Sequence, residues 1–125
     1  MVGRLKACAY GLIAALVQAC TEPGCTLIAV PGVVVEIRDS VDGAPLAATA
    51  RGVVQEGAYT DSLQLHGAAE ADALVRSAAY ERAGVYTVIV EHEGYARWRQ
   101  GGVWVRGDDC HVETEHLSAY LQPVP

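Results

Sequence analysis

Hydrophobic and polar residues alternate along much of the chain after residue 30, with the two-residue period of a β-strand. From Val33 to Arg38 the positions 33, 35 and 37 are Val or Ile, and the intervening positions become polar towards Arg38. This alternation predicts a half-buried strand. The Asp42-Gly43 pair that follows is a strong signal for a tight turn.

Similar patterns, separated by glycine-containing turns, predict six further strands. They lie over Ala47–Gln55, Tyr59–Leu65, Leu74–Arg82, Val85–His92, Tyr95–Arg106 with a break at Gly101-Gly102, and Cys110–Leu121. Gly67–Asp72 is predicted as an exposed loop. The alanine content of Ala68–Arg82 also allows a helix, although the segment has no apolar stripe. Short strands without long crossovers predict an all-β fold, an antiparallel seven-stranded β-sandwich.

The last predicted strand changes its inward-facing positions midway. Val112 and Thr114 are inward at its start, whereas Leu117 and Leu121 are inward later. A one-residue bulge near Glu115–His116 would reconcile the two sets.

The first nineteen residues have the pattern of an export signal. Arg4 and Lys6 precede the uncharged run Ala7–Val17, and the small residue Ala19 follows. A basic start, a short apolar run and a small residue at the cleavage point are typical of secretory signals. The run is shorter than the roughly 20 residues that span a bilayer.

The segment Leu16-Val17-Gln18-Ala19-Cys20 resembles a bacterial lipoprotein box. The resemblance implies that residues 1–19 are removed and that Cys20 carries a lipid that anchors the protein to a membrane. Residues 20–25 are then a short tether and residues 26–125 the folded domain. Thr21 resembles the residue found in lipoproteins sorted to an outer membrane, which favours its periplasmic face over the inner membrane. An ordinary secreted protein is the alternative.

Composition narrows the function classes. The 125 residues are 51% apolar and 19% charged, contain no Phe, and have a formal charge of −6. Without Arg4 and Lys6, seven arginines face fifteen carboxylates, and the formal charge becomes −8. The apolar content excludes intrinsic disorder. The acidity excludes a phosphate-binding basic surface as the main feature, so we expect no nucleic-acid partner.

The four cysteines divide among three roles. Cys8 leaves with the signal, Cys20 is the lipid attachment site, and Cys25 and Cys110 remain. Exported proteins fold in an oxidising compartment, which predicts a Cys25–Cys110 disulfide. A metal-binding pair is the alternative, but the two residues have no CxxC spacing.

A second resemblance covers residues 33–121. The run Tyr80–Val90 with the following Gly94-Tyr95, the turn Asp42–Ala47, and Cys110-His111-Val112 resemble, in this order, carboxypeptidase regulatory-like domains. The resemblance implies a prealbumin-like, immunoglobulin-like β-sandwich of about seven strands. These motifs contain no nucleophile, base or cofactor cradle, so we expect no cofactor and no enzymatic activity.

Three clusters are candidates for chemistry. His111, Glu113 and His116 have residue types that bind Zn²⁺ or Cu²⁺, in a small metal-binding protein or metal-dependent enzyme, if a bulge brings them together; the alternative is an exposed polar strand face. Glu91, His92 and Glu93 are a candidate general base or a solvated hairpin tip. No Gly-x-Ser-x-Gly elbow is present, so the sequence does not predict a serine hydrolase.

The third cluster suggests binding. Tyr95, Arg97, Arg99 and Trp104 are aromatic and arginine residues of the types enriched in binding surfaces. Alternatively, Trp98 and Trp104 are core residues or cover the sheet in a chain without Phe. We therefore expect a non-catalytic, lipid-anchored envelope module that binds an unidentified protein or glycan, with a soluble exported carbohydrate or peptide binder as a further alternative.

Overall fold

A computed structural model of the chain describes residues 25–65 and 75–125. The predicted signal at 1–19, the acylation site Cys20, most of the tether and the loop Gly67–Asp72 lie outside the described residues. Eight strands form: β1 Val33–Asp39, β2 Arg51–Glu56, β3 Tyr59–Ser62, β4 Gln64–Leu65, β5 Val75–Ala78, β6 Gly84–Glu91, β7 Trp98–Val105 and β8 Glu115–Leu121. The described part of the chain has no helix, and therefore none that could span a membrane.

The strands form two four-stranded sheets, so the predicted β-sandwich is confirmed. Sheet A has the order β4-β5-β1-β8, and sheet B has the order β3-β2-β6-β7. All pairs are antiparallel except β1 and β8, which run parallel. The structure thus has eight strands and one parallel pair where the sequence predicts seven antiparallel strands.

The eighth strand arises because the predicted strand Tyr59–Leu65 changes sheets. β3 pairs with β2 in sheet B, whereas β4 pairs with β5 in sheet A. Leu63, between the two strands, is buried, and its N–H donates to the carbonyl of Gly52 at 2.8 Å. This residue closes one side of the core where the chain passes from one layer to the other.

The parallel pairing of the first and last strands brings the segments that precede them to the same end of the sandwich. The N–H of Glu115 donates to the Gly32 carbonyl at 2.8 Å, and the Thr114 hydroxyl donates to the Pro31 carbonyl at 2.7 Å. Beyond these contacts the predicted Cys25–Cys110 disulfide is present, with 5.1 Å between the Cα atoms. It links residues 85 apart in sequence.

The core contains small and branched side chains and one aromatic residue. Its fully buried strand residues include Val33, Val35, Ile37, Val54, Tyr86, Val88, Val90, Val105, Ala119 and Leu121. The Tyr86 hydroxyl donates to the Arg82 carbonyl at 2.7 Å. This bond satisfies the polar end of the ring, so Tyr86 can occupy the interior in a chain that lacks Phe.

The break predicted at Gly101-Gly102 is a β-bulge within the continuous strand β7. Tyr86 pairs with Val103 and Val88 with Gln100, so two residues of β7 oppose the single residue Thr87. Gly102 has φ +68°, a left-handed conformation that favours glycine.

The bulge predicted near Glu115–His116 is absent. β8 begins at Glu115, and the preceding segment makes only an isolated bridge between Val112 and Gly107. The inward-facing positions change because the segment before Glu115 is not part of the strand.

The predicted strands Ala47–Gln55 and Leu74–Arg82 are likewise too long, because a turn occupies 47–49 and β5 ends at Ala78.

Gly52 lies where a backbone and a core side chain approach closely. A Cβ atom at this position would lie 2.3 Å from the Ile89 carbonyl oxygen and 2.7 Å from Leu63 Cδ1. At Gly101 the nearest atom to an added Cβ is Thr87 Oγ1 at 3.7 Å, an ordinary contact.

We predict that Gly52→Ala lowers the free energy of unfolding by about 1–3 kcal/mol, because the strands or Leu63 must shift to admit the methyl group. Gly101→Ala is the matched control and should stay within about 0.5 kcal/mol of the unmodified protein. Urea unfolding followed by circular dichroism measures both. Equal stability of the two variants would contradict the close approach.

Candidate functional site

Four arginines and one tryptophan share the outer surface of sheet B. We call this surface the arginine face; it comprises Arg51, Arg97, Arg99, Trp104 and Arg106. In β6 the side chains of Val88 and Val90 are buried, so Ile89 and its cross-strand partner Arg99 face outward. The predicted binding residues Arg97, Arg99 and Trp104 therefore lie on one exposed face.

The bulge in β7 makes this arrangement possible. Arg99 and Trp104 are five residues apart, and in a regular strand they would point to opposite faces of the sheet. The additional residue at Gly101-Gly102 shifts the alternation by one. Both side chains consequently face outward, while Val103 and Val105 remain buried.

Trp104 is a surface residue. Its side chain is 57% exposed, and its cross-strand partner Val85 is 51% exposed. The guanidinium carbon of Arg106 lies 4.3 Å from the Trp104 ring centroid. The core interpretation is therefore wrong for Trp104, whereas Trp98 is half-buried and packs against the core.

The arginine face carries more positively than negatively charged side chains. Glu91 is the one carboxylate at the outward positions of sheet B's strands, and it forms ion pairs with Arg51 at 3.4 Å and Arg97 at 2.9 Å. Arg99 and Arg106 form no ion pair with the described residues. The face thus holds two guanidinium groups without a carboxylate partner.

The remaining three arginines stabilise the fold. Arg38 pairs with Glu36 at 2.6 Å, and Arg82 pairs with Glu56 at 2.8 Å. Arg76 donates from Nε to the Ala47 carbonyl at 2.6 Å. Four of the seven arginines after residue 24 are therefore concentrated on one face of an otherwise acidic domain.

Three open depressions border the face among the described residues. One, of about 450 Å³, has Val53 and Ile89 among its lining residues, together with Arg51, Glu91 and Arg97. A second, of about 490 Å³, is lined by Arg51, Glu91, His92, Glu93, Tyr95 and Arg97. The third, of about 410 Å³, lies between β7 and β8; it is lined by Gln100, Gly102, Val103, Trp104, Arg106, Glu113, Glu115 and Leu117. Their breadth suits an extended ligand better than a small enclosed one.

Tyr95 lies at the edge of this face, where it lines a depression with Arg51 and Arg97, and its assignment to the binding surface stays a prediction. Its hydroxyl donates to Asp39 Oδ2 at 2.6 Å, and its ring packs edge-on against His92 with 5.1 Å between centroids. Its backbone forms a bridge with Pro123. Tyr95 lies after a turn and before β7 begins. The alternation of residues in β7 therefore does not predict the direction of its side chain.

The Tyr95 hydrogen bond is the largest cause that lowers the pKa of Asp39. The backbone N–H groups of Val41 and Asp42 lower this pKa further, and burial opposes them. The same Tyr95–Asp39 bond raises the pKa of Tyr95. Asp39 is only 8% exposed, so the ionised carboxylate depends on these donors.

The proposed base at Glu91, His92 and Glu93 is not assembled as such. His92 Nε2 lies 2.6 Å from the Thr49 hydroxyl, and Nδ1 lies 2.8 Å from the Glu93 carbonyl oxygen. Glu91 binds arginines instead. Both ring nitrogens of His92 thus contact Thr49 and the Glu93 backbone, and among the described residues no carboxylate contacts the imidazole to orient it as a base.

The proposed metal site at His111, Glu113 and His116 is contradicted by the geometry. His111 Nδ1 contacts Glu81 Oε2 at 2.5 Å, and Nε2 contacts the Thr26 hydroxyl at 3.0 Å. Within residues 25–65 and 75–125, no three His, Cys, Asp or Glu side chains form a group that could hold a metal ion. The trio does not converge because β8 begins only at Glu115, after His111 and Glu113.

Glu81 is a structural residue that the sequence did not reveal. Its carboxylate accepts from the N–H groups of Val30 and Val112 and contacts His111. Burial raises the pKa of Glu81, but the bond with His111 and the two backbone donors outweigh it and lower the pKa overall. Glu81 thus fastens the N-terminal segment to the segment before β8, next to the disulfide.

Comparison with protein-family models finds no match, and comparison with curated proteins finds no matching sequence. The interpretation of the arginine face therefore depends on its own geometry and charge.

We predict that Tyr95→Phe lowers the melting temperature by a few degrees at neutral pH. The pKa of Asp39 is lowered in the folded state, so its stabilisation is complete above the unfolded pKa of about 3.9 and is lost as the pH falls through the folded value. The difference between Tyr95→Phe and the unmodified protein should therefore narrow below about pH 4. Tyr120→Phe, on the outer face of sheet A, is the control for thermal unfolding, and a difference independent of pH would contradict the assignment.

Proposed function

We propose that this chain is a lipid-anchored envelope protein whose β-sandwich binds a partner through the arginine face and carries out no catalysis. One observation carries the binding assignment. Trp104 and Val85 form an exposed apolar pair. Arg106 contacts Trp104, and Arg99 lies on the same face opposite Ile89, four residues from Val85 along β6. Neither guanidinium group has a carboxylate partner among the described residues. Exposed Trp and Arg are the residue types that dominate binding energy at interfaces.

The anchor assignment is supported by the lipoprotein box that ends at Cys20. Cys25 lies five residues later and is joined to the sandwich through Cys110. A chain anchored at Cys20 would hold the domain close to the membrane by the end at which β1 and β8 begin. Thr21 supports an outer membrane, on its periplasmic face, as the location.

The assignment to carboxypeptidase regulatory-like domains is part of the same proposal. A β-sandwich is the fold that this resemblance implies, and the two four-stranded sheets are compatible with it. Such a module would position a binding face at the envelope without supplying a reaction centre.

For the anchor, we predict that Cys20→Ser abolishes fatty-acid labelling and moves the protein from the membrane fraction to the soluble fraction. Cys8→Ser is the matched control, since Cys8 would leave with the signal and its loss should change neither result. Metabolic labelling and fractionation of cells that express the full chain measure both. A Cys20→Ser protein that remains labelled would overturn the anchor.

For the binding face, we predict that a photo-crosslinking residue at position 85 forms a discrete adduct in intact cells, since Val85 adjoins Trp104 and its replacement keeps Trp104 and the arginines. The same residue at position 120 should form none, because Tyr120 is similarly exposed, at 50% against 51% for Val85, but lies on the outer face of sheet A. Arg99→Ala should weaken the adduct from position 85. Equal adducts from both positions, or none from position 85, would overturn the assignment.

A further inference from the structure

The most uneven feature of the molecule is the distribution of its arginines. The domain that remains after residue 19 has a formal charge of −8, yet its arginine face holds four guanidinium groups and one carboxylate at the strand positions of sheet B. Two of these groups, on Arg97 and Arg51, share Glu91. Arg99 and Arg106 form no ion pair or side-chain hydrogen bond with the described residues, so their N–H donors are available.

Arg106 already contacts Trp104 in the unbound protein. Its guanidinium carbon lies over the Trp104 ring, 4.3 Å from the centroid. This cation–π contact occupies none of the N–H donors in a hydrogen bond, so they are available to an acceptor. An arginine restrained by such a contact loses less conformational freedom on binding than a freely moving one.

Planar guanidinium groups bind carboxylates with two parallel N–H···O bonds. The Trp104–Val85 pair next to them offers an apolar platform for the carbon-bound hydrogens of a sugar ring. Glu113 and Glu115 line the depression beside Trp104 and Arg106 and oppose an anionic ligand there. Acidic groups farther away affect the site weakly, because the Debye length is about 8 Å at physiological ionic strength. A ligand that uses both features has repeated carboxylates and flat apolar ring faces.

We propose that the arginine face binds a carboxylate-bearing glycan, with its acidic groups on Arg99 and Arg106 and a sugar ring against Trp104. The proposal rests on the proposed function, since it names the ligand class for the same face. One open depression lies beside Trp104 and another beside Arg97, which allows a polymer to continue past the residues that contact it. An acidic peptide or an anionic membrane would use the arginines alone.

The test uses the full chain, purified in nonionic detergent. Binding to immobilised polygalacturonate and hyaluronate is compared with binding to neutral dextran, to polyglutamate and to vesicles that contain an anionic phospholipid. We expect retention by at least one acidic glycan, which weakens as salt increases, and little retention by dextran, polyglutamate or vesicles.

Variants separate the contributions of stacking and charge. Trp104→Ala should weaken glycan binding by about tenfold or more, and Arg99→Gln and Arg106→Gln by several fold each. Arg38→Gln is the matched control; it removes an equal charge from β1 in sheet A and should leave the affinity unchanged. Circular dichroism verifies that each variant is folded.

Each contrary result overturns the inference. Retention by neither acidic glycan would overturn it, as would equal retention by polyglutamate or by vesicles with no effect of Trp104→Ala. Cross-linking distinguishes failure of the ligand class from failure of the binding face. If position 85 still forms its adduct in cells, the binding face stands and only the ligand class is wrong; if it forms none, both are wrong.

Discussion

The parallel pairing of β1 and β8 is the constraint on which the rest of the structure depends. Val33 pairs with Glu115 and Asp39 with Leu121, so the two ends of the domain occupy neighbouring positions in one sheet. Parallel neighbours need a connection that returns the chain to its starting end, and here six strands form that connection. The disulfide and the Glu81 contacts are possible because the segments that precede β1 and β8 lie at the same end of the sandwich.

Because the β1–β8 pair lies in sheet A, the outer surface of sheet B takes no part in joining the two ends of the domain. Sheet A holds the first and last strands, β1 and β8, and β4 and Leu63 link the layers on the opposite side of the core. The outward residues of β2, β6 and β7 therefore contribute little to the fold beyond strand pairing. The arginines follow this division in part: Arg38, Arg76 and Arg82 bind carboxylates or carbonyl groups of the fold. Arg99 and Arg106, on the face, form no ion pair with the described residues.

Alternation of residue types predicted β1 and β6 to within one residue at each end, because each buries one face against the core. It failed at Leu63, since a strand that moves from one sheet to the other keeps the same alternation. It did not predict the directions of the Tyr95 and His111 side chains, because both residues lie outside strands. Arg51 belongs to the arginine face because its strand pairs with β6, and Arg106 belongs to it because its guanidinium group contacts Trp104. Both relations depend on the folded structure, and the alternation of residues along the chain does not contain them.

The glycine bulge in β7 has a consequence for how this surface can change in evolution. The bulge sets the phase of the strand, so Arg97 and Arg99 before it and Trp104 and Arg106 after it depend on a single additional residue for their common orientation. If β7 became a regular strand at its present length, for example through a residue at position 102 that cannot adopt a positive φ, Trp104 would turn towards the core and Val103 towards solvent, although no residue of the surface would have been replaced. Loss of one glycine would instead remove the bulge and leave Arg99 and Trp104 four residues apart, on the same face of a regular strand. Related chains could therefore keep every surface residue and still lack the surface, and the residue at position 102 would be more informative than the surface positions.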